Sequence, residues 1–220
     1  MVTERAGTPT SIEVGVYEHI RREILVGRLA PGSPLALADL AAELEVSTMP
    51  IRAALARLHS EGLVRKLRSR GSIVAPLEIE DFEEIQAIRA GIEAFAARLG
   101  VEQIDEAGIE TMRQLLGQLK ILSATEALDE YLELEWEFHH VCYAAARRKR
   151  LLALVDDYRR RAERYLRIAV PTSPGFGRSL DVQNRLLEAA ETHDGDKAEN
   201  LYREALSWSV TQVAEVLAEE

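Results

Sequence analysis

The sequence predicts a mainly α-helical protein: a small N-terminal unit of three helices and a hairpin, then an antiparallel all-α bundle of about six helices. Three observations carry that prediction. Apolar residues recur at helical spacing along most of the chain. Only 7 prolines and 13 glycines punctuate the 220 residues, and the glycines sit mostly at segment ends. Two short runs, LVRKLR and SIVAP, break the helical pattern and flank the turn Ser69-Arg70-Gly71.

The first helix follows from Ile12, Val16, Ile20 and Ile24, which recur every four residues along one face. Gly27 is its stop, and Pro31-Gly32 marks a turn. In LALADLAAELEV, Leu37, Leu40, Ala41 and Leu44 share the face of a second helix. The third begins at Ser47 as N-cap. Pro50 falls in its first turn, where the amides lack intrahelical partners and a proline removes no hydrogen bond. Ile51, Leu55 and Leu58 then face inward, and Gly62 ends the helix. Three helices and a two-stranded hairpin make a winged helix-turn-helix with the third helix in the recognition position.

After Pro76 the pattern turns to long helices, expected near 80–99, 105–122, 126–146, 150–169, 179–192 and 196–218. Gly100 is read as closing the first and Thr125 as capping the third. PTSPGFGRS (171–179) is read as a loop. Short joins between amphipathic helices imply the antiparallel bundle.

Composition narrows the function. The chain is 47% hydrophobic and 29% charged, a globular balance for one large or two small domains. The single Cys142 cannot form an internal disulfide and suits a reducing cytosol. The start, MVTERAGTPTS, lacks the apolar core of a signal peptide, and no stretch approaches the ~20 apolar residues that span a bilayer. The expectation is a cytoplasmic protein with no membrane partner. The net charge of −10 hides an asymmetry: residues 12–76 carry nine Lys/Arg against seven Asp/Glu, residues 77–220 seventeen against 29. Within 47–72, Arg52, Arg57, Arg65, Lys66, Arg68 and Arg70 face one acid, Glu61. Clustered cations on an accessible surface are what phosphate contacts need. Arg52 lies off the apolar face near the helix N-terminus, where side chains reach base edges in the major groove. Taken alone it reads as a solvated surface arginine, and the surrounding arrangement reverses that. The charged hairpin, whose other reading is an edge guarded against aggregation, is read as a DNA contact from its position after the recognition helix.

IRREILVGRLAPGSPL, LAAELEVSTMPIRAALARLHSEGLV and RGSIVAP together resemble the DNA-binding domain of GntR-family transcription regulators. AIRAGIEAFAARLG (87–100), with Arg89 and Glu93, and FHHVCYAAA (138–146) resemble the FCD effector domain of the FadR-type branch. The resemblance implies a flexible N-terminus (1–11), a DNA-binding domain (12–76), a linker (77–79) and a helical effector-binding and dimerisation domain (80–220). It implies a homodimer, often a repressor, on a pseudo-palindromic double-stranded DNA operator, and a small-molecule effector, often a carboxylate, in each bundle. The expected DNA-binding set is Ser47, Thr48, Arg52, Arg57, Arg68, Arg70, Gly71 and Ser72. Thr48 stands where the family usually has an arginine, which removes a long bidentate guanine reader.

Many members of this branch hold a metal with an acidic residue, the histidine of the Phe-His segment and two further histidines. Here the residual pair is Glu135 and His139, at i, i+4 on one helix face, while Gln183 and Ala205 stand where the other histidines would be. No cofactor and no metal site are therefore expected; the other reading of the pair is a buried, hydrogen-bonded Glu and His. His140 and His193 are read as solvent-facing. The expected effector-binding residues are Arg89, Glu135, His139, Arg164 and Gln183, with Arg167, Tyr158 and Tyr165 lining the same cavity. Arginine suits carboxylates through its fork. Two alternatives remain open from sequence. One is a DNA-binding dimeric scaffold without an effector. The other is a metal-dependent helical enzyme, although HExxH, P-loop, GxGxxG and nucleophile motifs are all missing from the sequence.

Overall fold

In the computed structural model, which describes residues 11–67, 71–125, 127–171 and 175–219, the chain divides between Leu77 and Glu78 into two units. Residues 1–10, read as a flexible N-terminus, lie outside the described residues, as do Arg68, Ser69 and Arg70 of the hairpin turn.

The first unit is built on α1 (Ser11–Leu25), β1 (Pro34–Leu35), α2 (Leu37–Glu43), α3 (Thr48–Ser60), β2 (Val64–Leu67) and β3 (Gly71–Val74). Val16, Ile20 and Ile24 of α1 are buried against Leu40 and Ala41 of α2 and Ile51, Leu55 and Leu58 of α3. Ile12 shares their spacing but is 57% exposed, because the helix begins only one residue earlier and its first turn extends past the core. Ser47 is the N-cap of α3 in an extended conformation, yet its hydroxyl makes no capping bond. Pro50 is buried in the first helical turn, as its missing amide allows. Glu45 takes a positive φ of 54° in the connection from α2 to α3.

The sheet has three strands in the order β1-β3-β2, all antiparallel, rather than the two expected. Leu35 pairs with Ser72, and Lys66 pairs with Ser72 from the other side. A two-residue strand opening on a proline carries no alternation to read, and Pro34 is tolerated because β1 lies at the sheet edge.

The second unit holds α4 (Ile79–Gln103), α5 (Glu106–Leu122), α6 (Leu128–Ala145), α7 (Lys149–Ala169), α8 (Gly175–Glu191) and α9 (Gly195–Glu219). The last residue of the stretch read as linker, Ile79, opens α4. α4 packs against α6, α7 and α9 and is buried on most sides. α5 buries Ile109, Met112, Leu116 and Leu119 along one stripe. Asp105 caps α5, accepting from the Gly108 amide at 2.9 Å.

Three sequence expectations change here. Gly100 does not end α4. It lies inside the helix, where a β-carbon would sit 2.0 Å from the Cys142 carbonyl oxygen, so its lack of a side chain serves the close approach of α4 to α6. Thr125 caps no helix start: its hydroxyl donates to the Leu122 carbonyl at the end of α5, and α6 starts at Leu128 after Ala127. Gly175–Ser179, read as loop for their glycines, belong to α8; Phe176 there packs edge-on against Tyr131 at 4.8 Å. Residues 172–174 lie outside the described residues.

Candidate functional site

Two places bring together the residues singled out above, one in each unit. In the first unit, Ser47, Thr48, Met49 and Arg52 are exposed at the N-terminal end of α3, while Ile51 and Leu55 anchor the opposite face. Met49, absent from the sequence reading, is 73% exposed. Arg65 and Lys66 on β2 and Gly71 at the start of β3 are exposed too, and Ser72 is half-buried. Gly71 has a φ of 85°, a backbone region that only glycine enters freely. Arg68 and Arg70, expected as contacts, fall outside the described residues.

Arg57 differs from that expectation in its surroundings. Its guanidinium stacks 3.5 Å over the Tyr17 ring, and its Nε donates to Glu61 Oε1 at 3.2 Å. Tyr17 Oη lies 2.9 and 2.8 Å from the two Glu61 oxygens. Glu61 is 7% exposed, so the arginine and the phenol satisfy a carboxylate withdrawn from water. Burial first, and the Glu61 hydrogen bond second, push the Tyr17 hydroxyl up to about 12. Arg57 is thus held by the unit's own core, as the i, i+4 spacing to Glu61 permits.

In the second unit a cavity of about 110 Å³, partly open to solvent, lies among α4, α6, α7, α8 and α9. Its mix of apolar and polar walls is typical of small-molecule sites. Arg89, Glu135, His139 and Gln183 line it, as expected, and so does Ala205. Arg89 is buried, with Nε and Nη2 donating to Glu93 at 2.6 and 3.1 Å and Nη1 to Gln86 at 2.8 Å. Burial works against its charge, but Glu93 overrides that and raises its pKa above the ordinary arginine value. Tyr143 Oη donates to Glu93 Oε2 at 2.9 Å.

Glu135 and His139 are not bonded to each other in this wall. Glu135 Oε1 accepts from Ser179 Oγ at 2.5 Å and Gln183 Nε2 at 3.0 Å. His139 Nδ1 is hydrogen-bonded to Tyr202 Oη. Burial pushes the His139 pKa below the ordinary histidine range, against the pull of Glu135 and Glu93. The donor set does not suit a metal. Among the described residues no three His, Cys, Asp or Glu side chains converge, Ala205 offers no ligand, and Gln183 turns its Nε2 to Glu135.

Arg164 is a correction: it does not line the cavity. Its Nη2 donates to Asp81 Oδ2 and to Tyr165 Oη, both at 2.9 Å. Tyr165 also lies away from the cavity, as do Tyr158 and Arg167, which pairs with Asp129. The arginine that α7 contributes is Arg159, with Leu166 and Val170. Positions 159 and 166 are seven apart and nearly in register, whereas 164 is five from 159, about 140° round the helix. Arg159 falls within the stripe Val155, Ala162, Leu166. An arginine interrupting an apolar stripe was the signal available in the sequence. Tyr143, Ser179 and Tyr202 carried none, since aromatic and small residues on a helix read as ordinary packing. His140 is half-buried, 3.9 Å from Asp156, and His193 is exposed with Nδ1 3.0 Å from the Val101 carbonyl oxygen; neither lines the cavity.

Comparison with known proteins matches both units. Residues 13–74 match the bacterial regulatory proteins of the gntR family, and residues 84–207 match the FCD domain. The HTH-type transcriptional repressor RspR of Escherichia coli is 30% identical over 142 residues, covering 64% of this chain and 62% of that protein. The chain therefore spans about six-tenths of the length of the first curated relatives it matches. The gluconate operon transcriptional repressor of Bacillus licheniformis is 28% identical over 192 residues, 84% of this chain and 78% of that one. Among solved structures, E. coli McbR/YncC superposes with a TM-score of 0.76 at 20% identity, over 94% of this chain and 99% of its own, a likeness of fold. Among the described residues no helix is long and apolar enough to cross a membrane.

Proposed function

We propose, for a chain that belongs to the GntR family of bacterial regulatory proteins and carries an FCD domain, that it is a transcription regulator whose grip on DNA is set by a small molecule in its helical unit. The family and the named relatives are transcription regulators rather than enzymes. The observation that carries the reading is the exposed start of α3. Thr48 and Arg52 stand clear of a fully packed inner face, beside a strand pair bearing Arg65, Lys66 and Gly71. A helix so presented enters the major groove with its N-terminal residues at base edges, and the strand cations meet phosphates. Ser47, Thr48, Arg52, Gly71 and Ser72, with Arg68 and Arg70, are the contacts this reading assigns.

Two copies of the chain would read two half-sites about 10 bp apart, or a multiple of that, which makes the operator pseudo-palindromic. Both named relatives are repressors, and repression is the mode we assign. The gluconate operon named for one of them supports an anionic effector. An effector acts by binding the DNA-competent and DNA-incompetent states unequally, and the coupling is reciprocal.

A mobility-shift assay with the chain's own promoter fragment tests the reading. Binding should fall steeply as salt rises, because phosphate contacts release counterions. Arg52→Ala should lose specific binding with the thermal melt unchanged. No shift of the fragment at low salt would refute the assignment.

A further inference from the structure

Among the residues lining the cavity, three buried polar atoms have no partner among the described residues: Arg159 Nη1 and Arg178 Nε, both donors, and Gln183 Oε1, an acceptor. Arg159 is 8% exposed and Gln183 0%. The orientation of the Gln183 amide follows from its neighbours. Nε2 is 3.0 Å from Glu135 Oε1 and 2.9 Å from Ser179 Oγ. An ionised carboxylate only accepts, so the nitrogen must face it and the oxygen is left over. Arg159 Nη2 reaches the Leu132 carbonyl at 3.5 Å and stands 3.8 Å from Glu135 Oε2, beyond hydrogen-bond reach. Arg159 Nη1 and Gln183 Oε1 therefore belong to the two side chains that flank one carboxylate.

Arg89 is fully engaged by Glu93 and Gln86, whereas Arg178 already holds a carboxylate, donating from Nη2 to Glu204 at 3.0 Å, and keeps its Nε without a partner. Buried polar atoms are nearly always satisfied, and a buried guanidinium with an unpartnered N–H is a receptor for an anion. A cationic ligand is disfavoured, because the indole rings already carry cations. Arg159 lies 5.8 Å over Trp136 and Arg178 5.5 Å over Trp208.

We infer that the occupant of this cavity is a small hydroxy-acid anion, its carboxylate accepting from the unpartnered Nη1 of Arg159 and its hydroxyl donating to Gln183 Oε1, with no metal ion between them. The inference rests on the effector reading above and names its ligand class. Arg159 takes over the anion-holding task, and Gln183 selects for the hydroxyl.

The test uses the full chain, EDTA and tryptophan-monitored melting with matched acids: glycolate against acetate, lactate against propionate, gluconate against hexanoate. At least one hydroxy acid should raise the melting temperature, with its deoxy partner binding roughly ten- to a hundredfold more weakly, the effect of leaving a buried acceptor unsatisfied. Arg159→Gln should abolish the shift, and Arg159→Lys, which keeps the charge and guards against a simple folding defect, should weaken it. Gln183→Met should still bind the carboxylate but bring each pair within about threefold. The inference is overturned by no shift from any hydroxy acid, by equal shifts from deoxy partners, by a shift that EDTA removes, or by a shift from choline instead. Promoter binding is measured separately. Its loss would strike the regulator reading, whereas failure of the acids with promoter binding intact strikes this inference alone.

Discussion

Gly100→Ala should destabilise the bundle although alanine is the better helix former. The added carbon would lie 2.0 Å from the Cys142 carbonyl oxygen and 2.8 Å from its carbon, against about 3.4 Å for ordinary contact. The obstacle is backbone, so α4 and α6 must separate rather than a side chain rotate. Overpacking of this kind costs about 1–3 kcal/mol, and a backbone obstacle places it at the upper end. The intrinsic gain of alanine over glycine, about 1 kcal/mol, offsets part of that. A net loss of ~2 kcal/mol remains, a fall of roughly 4–8 °C in a domain of this size. Gly91 on the same helix is exposed, with nothing within 4 Å of its added carbon, so Gly91→Ala should instead raise the melting temperature by about 2–4 °C. Both tryptophans, Trp136 and Trp208, lie in the bundle, so fluorescence follows this unit alone. A Gly100→Ala protein that melts at or above the parent would refute the close crossing.

Two further outcomes follow from the buried polar groups. Tyr17→Phe leaves Glu61 with only Arg57 among the partners described above, and should destabilise the N-terminal unit by about 1–3 kcal/mol in circular-dichroism unfolding; an unchanged midpoint would show that water already serves that carboxylate. His139 titrates below its ordinary value of 6.5, because burial favours the neutral ring. Between the folded and unfolded values only the unfolded chain takes the proton. Bundle stability should therefore be full above about pH 6.5 and decline as pH falls towards the folded value, a slope that His139→Gln should flatten.

Much of the fold was legible because its elements are long and periodic. The six bundle helices were placed within a few residues of their ends, and the apolar faces of α2 and α3 as observed. The failures share a cause: punctuation residues serve more than one purpose. Gly100 reads as a stop but permits a helix crossing. Gly175 and Gly177 read as loop yet stand in the first turn of a helix. Thr125 closes α5 rather than opening α6. None of these choices can be made without knowing what packs against the residue. The cavity shows the same division. Arg89, Glu135, His139 and Gln183 were legible through a family pattern, whereas Arg159 required the phase of α7 to be known within one residue.

That phase also separates two arginines with opposite consequences. Arg164 and Arg159 lie on one helix, both nearly buried. Arg164 meets Asp81 and Tyr165, so its burial is compensated within the bundle. Arg159 has a long 3.5 Å bond to the Leu132 carbonyl and a carboxylate 3.8 Å away that already accepts two other hydrogen bonds. Burial accordingly lowers the Arg159 pKa, while Glu93 holds that of Arg89 up. A fully paired buried ion stabilises a wall but offers a ligand little, because binding would have to break the existing pair. An underpaired one is the reverse: it weakens the empty protein and gains most from an anion. Arg89→Ala should therefore damage the fold through the stranded Glu93, whereas loss of Arg159 should show first in ligand affinity. Residues that look alike in a sequence as cavity arginines thus divide, on pairing alone, into scaffold and receptor.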